Sequence, residues 1–468
     1  MNYLTDILRH FQNPPIHPAF RIRGQSYSYA YLSQRVAAFQ IYIQSLNRAH
    51  LPVAIECEDH PDCYALILAC LFSGCPFVPV HPRHPQERNQ VILDLAQIPE
   101  LLKASEINIS VGLKTVPKIQ TGNNSAYILF TSGSTGVPKG VPVSHVALQA
   151  FFNACDETGL KHLEGKPCLQ SFDLTFDLSI FSYLYPLIHG ATVCTVPDDE
   201  IKQLAILRIL EEESVHTALL VPSVIQLLQP YFDRIELPEL KCLLFCGEAL
   251  PSEILKSFIK SVPQAEVRNV YGPTEATIFC MQYILPANPQ EWEAYQGVIS
   301  IGSPMPGVTV SVDEESQLLL SGAQLANGYL TNEKKHHQAF LHLDSERWYQ
   351  TGDLVTLHPS GNYLFAGRKD QQVKIQGYRV EIGEVEFQIN KLIAPAQAIV
   401  VVSSTIGKGQ ALTAFINKPD LHFPEVQEEL KGLLPGYMIP TQWIGLAQFP
   451  LNVNGKIDRK YLATLIPA

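Results

Sequence analysis

The sequence lacks several features that would assign the protein to a compartment or a class of partner. None of its ten cysteines belongs to a C-x-x-C pair, so neither a zinc ribbon nor a dithiol redox centre is predicted. Cys242 and Cys246 are the closest pair, and reduced structural thiols in a cytoplasmic protein are expected. Positive charge is also scarce: the formal net charge is −11. Nucleic acid and anionic membranes are therefore not expected as partners, because both require basic patches.

Long apolar runs are missing as well. The most apolar stretch, 64–80, contains Ser73, Gly74 and Pro76, which divide it into a predicted helix and a following strand. The N-terminal segment has Asp6 inside it and no small-residue cleavage site, so it predicts a short amphipathic helix rather than a signal peptide. A membrane anchor is not expected.

Alternating strand-like and helical segments occupy the central part of the chain. Apolar β-rich runs at 191–197, 216–222 and 242–247 alternate with helical stretches at 201–213 and 252–262. This alternation predicts an α/β sheet with helical crossovers. At 468 residues the chain is long for one hydrophobic core, so two or more domains are expected.

The pattern changes in the last third of the chain. After about Leu318 it becomes strand-rich, and a smaller unit begins near Asp370. That unit has a predicted helix at 383–392 and predicted strands at 397–402 and 411–416.

A loop rich in glycine and hydroxyl side chains lies within 127–145, YILFTSGSTGVPKGVPVSH. Glycines let the backbone approach an anion, hydroxyls and amides donate hydrogen bonds, and a lysine supplies a compact positive charge. The candidate phosphate-binding residues are Thr131, Ser132, Gly133, Ser134, Thr135, Gly136, Lys139 and Gly140. The spacing is not that of a kinase-type P-loop, because Pro138 stands where the second glycine is needed. A flexible linker is the other reading, but the flanking apolar segments argue against it.

Further segments along the chain resemble those of the adenylate-forming superfamily, which includes acyl-CoA synthetases, luciferases and nonribosomal adenylation domains. In order, they are the loop above, LILACLFSGCPFVPVHPRHPQER (66–88), FDLS (176–179), NVYGPTEAT (269–277), LLLSGAQLANGYL (318–330), YQTGDL (349–354), GRKDQQVKIQGYRVEIGEVE (367–386), LPGYMIP (434–440) and NVNGKIDRK (452–460). The resemblance implies a mixed α/β (α+β) fold. A large N-terminal domain (1–369) would contain α/β sheets and a β-rich subdomain, followed by a small mobile C-terminal α+β domain (370–468).

The same resemblance implies a reaction in which a carboxylate attacks the α-phosphate of ATP, giving an acyl-adenylate that is then transferred to a thiol. Positive charge and Mg²⁺ are needed where negative charge develops. Lys456 resembles the family lysine that bridges the carboxylate and the adenylate, although a lysine in an Asn-Gly turn is also a common surface residue. Lys139 resembles the lysine near the β- and γ-phosphates. Glu275 resembles the Mg²⁺ ligand, but Thr274 and Glu275 could also serve a helix N-terminus.

Other positions match family residues that hold the nucleotide or the moving domain. Tyr271 would stack on adenine and Asn269 would face its amino edge, while Asp353 and Arg368 would hold the ribose. The matched nucleotide-binding positions outside the loop are Asn269, Tyr271, Gly272, Thr274, Asp353 and Arg368. Asp370 matches the hinge, and Gly377 matches the glycine beside which the thiol arm passes.

Asp177 indicates which kind of acid is activated. Family members that activate amino acids place this aspartate against the substrate ammonium, and a buried carboxylate needs a cationic partner. A cap for the following helix is the alternative role. The side-chain pocket positions mapped from the family are Leu178, Phe181, Leu219, Leu244, Cys246, Val270, Ile278 and Phe279. Because these are apolar or nearly so, a small or medium apolar amino acid is expected.

The pocket residues leave two possible substrates. Leu178, Phe181 and Leu244 resemble stand-alone prolyl-adenylating enzymes, which makes L-proline the first expectation. Cys246 within LLFCGEALP, together with FDLS, resembles D-alanine:D-alanyl-carrier-protein ligases instead.

The acceptor is expected to be a separate protein. Only twelve residues follow Lys456, too few for a carrier domain, so a carrier protein with a phosphopantetheine arm is expected in trans. An acyl-CoA synthetase and a catalytically dead adenylate-binding protein are the competing classes. Asp177 argues against the first, and the intact lysines and carboxylates argue against the second.

Overall fold

The computed structural model describes residues 2–47, 50–109, 116–120, 122–133, 137–330, 339–343, 345–370, 372–405, 409–451 and 457–466. Its helices are α1 (Asn2–Gln12), α2 (Tyr29–Ser45), α3 (Pro61–Ser73), α4 (Gln86–Ala96), α5 (His145–Glu157), α6 (Leu178–Ile188), α7 (Lys202–Glu212), α8 (Pro222–Leu228), α9 (Ser252–Phe258), α10 (Ile382–Ile393), α11 (Phe423–Lys431) and α12 (Arg459–Thr464). Local sequence signals account for two of the helix ends. Ser144 caps the start of α5 by accepting a hydrogen bond from the Ala147 amide, and Gly74 ends α3 at φ +65°.

In the described part of the chain, the strands form four sheets in the N-terminal part, one of them only the pair β14-β15, and two small sheets near the C-terminus. Those before residue 300 are β1 (Pro18–Ile22), β2 (Gln25–Ser28), β3 (Val53–Glu56), β4 (Phe77–Val80), β5 (Leu101–Leu102), β6 (Ser125–Thr131), β7 (Lys139–Ser144), β8 (Pro167–Gln170), β9 (Thr192–Thr195), β10 (Thr217–Leu220), β11 (Cys242–Phe245), β12 (Glu266–Tyr271), β13 (Met281–Ile284), β14 (Ala294–Tyr295) and β15 (Val298–Ile299), β14 and β15 forming a short separate pair. The later ones are β16 (Ser303–Pro304), β17 (Val308–Val312), β18 (Gln317–Gly322), β19 (Phe340–Leu343), β20 (Glu346–Leu357), β21 (Tyr363–Arg368), β22 (Gln372–Ile375), β23 (Tyr378–Glu381), β24 (Ala398–Thr405), β25 (Gly409–Ile416) and β26 (Gln442–Gly445).

The largest sheet has the order β16-β13-β12-β11-β10-β8-β9-β1-β2. Its central strands run parallel, and β9 to β11 are almost entirely buried, which is why they read as continuous apolar runs in the sequence. A second sheet, β5-β3-β4-β6-β7, carries the glycine-rich loop between its last two strands. The predicted α/β alternation is confirmed.

A third, antiparallel sheet follows in the chain, with the order β17-β18-β20-β19 and β21 paired to β20. It corresponds to the strand-rich segment predicted after Leu318. The pairing of β20 with β21 sets Asp353 opposite Arg368.

The C-terminal unit, from β22 onward, has its own core. Two short sheets, β22-β23 and β24-β25-β26, pack with α10 and α11 around apolar residues that form a cluster separate from the core of the N-terminal part. The predicted helix and strands of this unit are confirmed. A division of the chain at residue 370, and the mobility of the second part, stay predictions.

All ten cysteines are free thiols. Among the helices that the structure describes, none has the length and apolar character needed to cross a membrane.

Candidate active site

The glycine-rich loop meets the C-terminal unit directly. Ser132 Oγ donates to the carbonyl of Arg379 (2.7 Å) and accepts from the amide of Glu381 (3.2 Å). The amide of Gly133 donates to Glu384 Oε2 (3.2 Å). Loop atoms that were predicted to bind phosphate therefore bind groups of the C-terminal unit in this arrangement.

Glu384 occupies an anion-binding position. Its carboxylate is fully buried and, besides the Gly133 amide, accepts a hydrogen bond from Arg88 Nη1 at 2.6 Å. A buried carboxylate held by a guanidinium and a backbone amide uses the same donors that a phosphate oxygen would use.

The predicted metal ligand is also engaged. Glu275 lies in the 3₁₀ turn Thr274–Ala276, is fully buried, and accepts two hydrogen bonds from Arg379 Nη1 (3.0 and 2.8 Å) and one from the Tyr329 hydroxyl (2.7 Å). Burial acts to raise the pKa of Glu275, but Arg379 and Tyr329 hold that pKa below its ordinary value. The turn has Pro273 at its N-cap position, so Thr274 is not the capping residue.

A metal-binding role for Glu275 stays a prediction, because Arg379 occupies its carboxylate in this arrangement. A carboxylate is a hard oxygen ligand of the kind that Mg²⁺ prefers. The Thr131 hydroxyl, which lines a cavity together with Thr274, is buried and has no hydrogen-bond partner among the described residues. Lys139 lies close by, with Nζ 3.7 Å from Glu381 Oε1 and 5.6 Å from the centre of the Tyr329 ring.

Asp177 stands at the start of α6 and is almost completely buried. Asp177 is the N-cap residue by position, but its carboxylate makes no side-chain capping hydrogen bond to the first turn, so the alternative capping role lacks that support. Burial raises the pKa of Asp177 to about 6, against the opposing effects of a hydrogen bond from Thr274 and the positive charge of Lys374.

A small cavity of about 40 Å³ adjoins this carboxylate. Leu178, Cys246 and Ile278 line it together with Asp177. Phe181, Leu219, Leu244 and Phe279 are buried in the adjoining core without lining it, and Val270 lines a second cavity instead. Burial raises the pKa of the Cys246 thiol to about 12, so this wall is uncharged.

An aromatic group packs in the core that adjoins the small cavity. The Phe181 and Phe279 ring centres lie 5.3 Å apart, and Phe151 from α5 packs edge-on against Phe279 at 4.8 Å. Close packing of these rings leaves little free space in that core.

A larger cavity of about 310 Å³ lies beside the small one, a volume typical of small-molecule sites. Asn269, Tyr271, Asp353 and Arg368 line it. Arg368 and the Tyr271 hydroxyl both donate to the Asp353 carboxylate. The Asn269 side-chain amide donates to the Ser300 carbonyl at 2.8 Å. The structure thus brings together the residues predicted to hold adenosine, and their binding roles stay predictions.

Glycines allow close contact at two points of the site. A Cβ on Gly272 would lie 2.4 Å from the Cα of Phe279. Gly377, at φ +84°, forms the turn between β22 and β23, where a Cβ would lie 2.6 Å from a Val221 methyl group. Its amide donates to Glu248 Oε1 at 2.7 Å, which fixes the turn beside the small cavity.

The predicted hinge residue holds the chain at the entry to the C-terminal unit. Both oxygens of Asp370 accept from Arg368, at 2.7 and 2.8 Å, and one also accepts from the amide of Gln372. Ser134, Thr135, Gly136 and Lys456 lie outside the described residues.

Several residues of this site were missed from the sequence. Arg88, Arg379 and Glu384 lie inside motifs that carry the resemblance, but no role was predicted for them. The signal that could have identified them was the presence of charged residues within those motifs. Lys374, which lines both cavities, was missed in the same way.

Three possible metal ligands, His81, His84 and Asp173, cluster nearby. The amide of Arg83 donates to His81 Nδ1 (3.0 Å), so the ring proton of neutral His81 is on Nε2, which lies 3.2 Å from Asp173. A metal on Nε2 would require that proton to move to Nδ1, against the amide donor. The cluster is therefore a hydrogen-bonded pair beside a half-buried His84, whose pKa is lowered to about 4 by partial burial and by His81.

Three features of this site together define an adenylate-forming ligase. They are a phosphate-type loop, a buried acidic turn and a nucleotide-sized cavity between two units. A family model described as AMP-binding enzyme matches residues 8–115 and 98–330, and the chain belongs to this family.

Relatives agree with this assignment along the full chain. The D-alanine--D-alanyl carrier protein ligase of Lactococcus lactis subsp. lactis is 31% identical, covering 94% of each chain. Gramicidin S synthase 2 of Brevibacillus brevis is also 31% identical, over 96% of this chain and 11% of its own. The crystal structure of the Vibrio cholerae adenylation domain AlmE in complex with glycyl-adenosine-5'-phosphate superposes with a TM-score of 0.85 at 25% identity, covering 99% of this chain and 97% of AlmE.

Proposed function

We propose that the protein activates D-alanine as an aminoacyl-adenylate and transfers it to the thiol of a separate carrier protein. Asp177 is the observation that carries this proposal. Its buried carboxylate makes no ion pair within the described part of the chain, and it adjoins a small cavity that Lys374 and Arg379 also line. A substrate ammonium in that cavity would supply a direct ion-pair partner.

The space beside Asp177 supports a small side chain. A cavity of 40 Å³ has room for about three water-sized groups, and the rings of Phe181 and Phe279 pack against each other in the adjoining core. A methyl group suits such a pocket better than the pyrrolidine ring of proline.

The relatives favour the same choice. A D-alanine--D-alanyl carrier protein ligase shares 31% of its sequence with this chain, and the AlmE complex holds a glycyl group, which is also small. These similarities support D-alanine over L-proline, the first expectation from the pocket residues. The ligase relative also supports a carrier protein as the acceptor.

The first step requires an arrangement in which the phosphate side is open. The amino-acid carboxylate attacks the α-phosphorus of ATP, and the bond to pyrophosphate breaks. Lys139 would neutralise the outer phosphates, and Lys456 would approach the attacking carboxylate. Glu275 and Thr131 would hold Mg²⁺, which supplies positive charge where the pyrophosphate leaves.

The described arrangement suits the second step. Glu384 and Arg379 fill the phosphate side, while the turn at Gly377 lies beside the small cavity. Rotation near Asp370 would exchange the two arrangements, replacing Lys456 with the β22-β23 turn. Such domain motions exchange catalytic groups and shield a reactive intermediate from water.

Amino-acid-dependent ATP–pyrophosphate exchange tests the proposal. D-alanine, L-alanine, glycine, L-proline and D-valine would be compared with Mg²⁺ present, and D-alanine is expected to give the highest kcat/KM. Preference for L-proline would reassign the substrate. AMP formation that depends on coenzyme A and needs no amino acid would reassign the protein to the acyl-CoA synthetases, and absence of exchange with every acid would reject the proposal.

A further inference from the structure

Arg88 lies in the first turn of α4 and lines a cavity together with Thr131 and Ser132 of the glycine-rich loop. Its side chain is 9% exposed, and Nη1 donates to the fully buried Glu384 carboxylate at 2.6 Å. Among the described residues, no other carboxylate lies within ion-pair distance of Arg88. The first turn of a helix disfavours a cation, because the helix dipole is positive there. A buried arginine at this position therefore needs an anion.

Arg88 and the loop are held by neighbouring strands of one sheet. β4 and β6 run parallel and pair directly, with Phe77 opposite Tyr127. α4 follows β4, and the glycine-rich loop follows β6. The carboxyl ends of parallel strands meet at one edge of a sheet, and ligand sites commonly form between the segments that follow them. Arg88 would therefore keep its place beside the loop when the C-terminal unit moves.

One carboxylate joins Arg88 to the loop in the described arrangement. Oε1 of Glu384 accepts from Arg88, and Oε2 accepts from the Gly133 amide at 3.2 Å. The two donors are therefore close enough to bind two oxygens of a single group. Arginine binds carboxylates and phosphates with the same geometry, so a phosphate group could bridge these donors as Glu384 does.

A second carboxylate of the same segment repeats this arrangement. Glu381 Oε1 lies 3.7 Å from Nζ of Lys139, the lysine predicted to lie near the outer phosphates. Glu381 and Glu384 thus place two negative charges against two cations around the loop, as the linked phosphates of a polyphosphate would. If Lys139 exchanges Glu381 for a phosphate, Arg88 is placed to exchange Glu384 in the same way.

We propose that Arg88 binds an outer phosphate of ATP when the C-terminal unit is withdrawn, and that Glu384 takes the place of this phosphate in the described arrangement. This inference rests on the proposed function and adds a phosphate-binding residue to its first half-reaction. Arg88 stabilises the negative charge that builds up on the leaving pyrophosphate, since a preorganised cation acts most strongly where charge develops.

A simpler role would be that of an anchor for the C-terminal unit alone. An anchor contacts Glu384 and no phosphate, so its removal would weaken docking and thereby favour ATP. Loss of a phosphate contact would instead weaken ATP binding. Because these effects oppose each other in Arg88→Met, the two roles are separated by making the change after Glu384 has been replaced.

The test measures nucleotide binding by isothermal titration calorimetry, with the full-length protein and Mg²⁺, in the background of Glu384→Gln. This background should itself bind ATP more tightly than wild type, since the competing charge is gone. Adding Arg88→Met is expected to weaken the binding of ATP and of pyrophosphate at least about tenfold, because a charged hydrogen bond is lost. AMP lacks the outer phosphates, so its affinity should stay within about twofold.

Two further variants serve as controls in the same background. Arg88→Lys keeps the charge and should recover part of the ATP affinity. Arg83→Met removes an exposed arginine of the segment between β4 and α4, which pairs with Asp198 outside the cavity that Arg88 lines. It should change the affinity for neither ATP nor AMP.

Binding of ATP by the double variant as tightly as by Glu384→Gln alone would overturn the inference and leave Arg88 as an anchor. Equal losses of ATP and AMP affinity would also overturn it, as would an equal loss of ATP affinity in Arg83→Met. These affinities do not depend on which amino acid is activated. Absence of exchange with every amino acid would therefore reject the proposed function, whereas the binding measurements would still decide the role of Arg88.

Discussion

The two ends of the candidate site are built from different parts of the chain. At the aminoacyl end, Asp177 and most of the walls around it come from the N-terminal part, and the β22-β23 hairpin supplies the remaining walls. At the phosphate end, Glu384 and Arg379 of the C-terminal unit occupy the Gly133 amide and the Glu275 carboxylate. In this arrangement the aminoacyl end is therefore free to bind a ligand. At the phosphate end, Glu384 and Arg379 would first have to leave.

Under the proposed function, this difference would keep the two half-reactions apart. A polyphosphate could not use the Gly133 amide while Glu384 holds it, and a metal could not use Glu275 while Arg379 holds it. ATP binding and docking of the C-terminal unit would then be competing equilibria, each weakening the other by mass action.

The largest expected effect concerns the aminoacyl end. Asp177→Ala should lower kcat/KM for D-alanine at least about a hundredfold, because the ammonium loses its buried partner, a loss of about 3 kcal/mol or more. ATP–pyrophosphate exchange at several D-alanine concentrations measures this, with ATP binding followed separately. Asp173→Asn, which changes a neighbouring carboxylate paired with His81, is the control and should retain the wild-type KM for D-alanine. Equal losses in the two variants would contradict the ammonium assignment.

A second, smaller effect tests the competition at the phosphate end. Glu384→Gln removes the charge that binds Arg88, so docking should weaken and the KM for ATP should fall about three- to tenfold. Glu386→Gln changes a carboxylate of the same helix that pairs with Arg459 inside the C-terminal unit, and it should leave the KM for ATP unchanged. An unchanged or higher KM for ATP in Glu384→Gln would contradict the proposed competition between Glu384 and ATP at the phosphate end.

The pH dependence of substrate binding should also differ between the ends. Burial raises the pKa of Asp177 to about 6 in the absence of substrate. The carboxylate must be ionised to hold the ammonium, so the KM for D-alanine should rise as pH falls below about 6, approaching tenfold per pH unit, and level off above it. Initial exchange rates between pH 5 and pH 8 measure this, and Asp177→Asn is the control without a titrating group. A KM that does not change between pH 5 and pH 7 would contradict the assignment.

The smallest expected effect concerns substrate size. Phe279→Val removes one of the rings packed in the core beside the aminoacyl end, and the space that this opens should raise kcat/KM for D-valine relative to D-alanine about tenfold. Phe258→Val, at a buried ring of the same core that packs against Phe232, matches the loss of volume away from the site. A rise of the same size in both variants would show that general loosening, rather than the rings beside the aminoacyl end, sets the preference.

Much of the fold could be predicted because buried parallel strands read as short apolar runs. The runs at 191–197, 216–222 and 242–247 each contain an observed strand. The stretch 252–262 was predicted as one helix, but α9 ends at Phe258 and a 3₁₀ turn, Ile259–Ser261, follows. Helix ends depend on tertiary contacts that local sequence does not encode.

The candidate site was predictable only within its motifs. Asp353 and Arg368 were each found in a motif, yet their direct pairing depends on the register of β20 and β21. No role could be assigned to Arg379 and Glu384, because the local sequence does not show which surface the second unit packs against. Phe151 was missed for the same reason: its contact with Phe279 joins positions far apart in the chain.

A crystal structure of the protein with a non-hydrolysable D-alanyl-adenylate analogue would test the central claim most directly. The account predicts the ammonium of the analogue within hydrogen-bond distance of the Asp177 carboxylate, its ribose hydroxyls at Asp353, and its methyl group toward Cys246 and Ile278. An analogue bound with its ammonium away from Asp177, or with its aminoacyl group outside the small cavity, would contradict it.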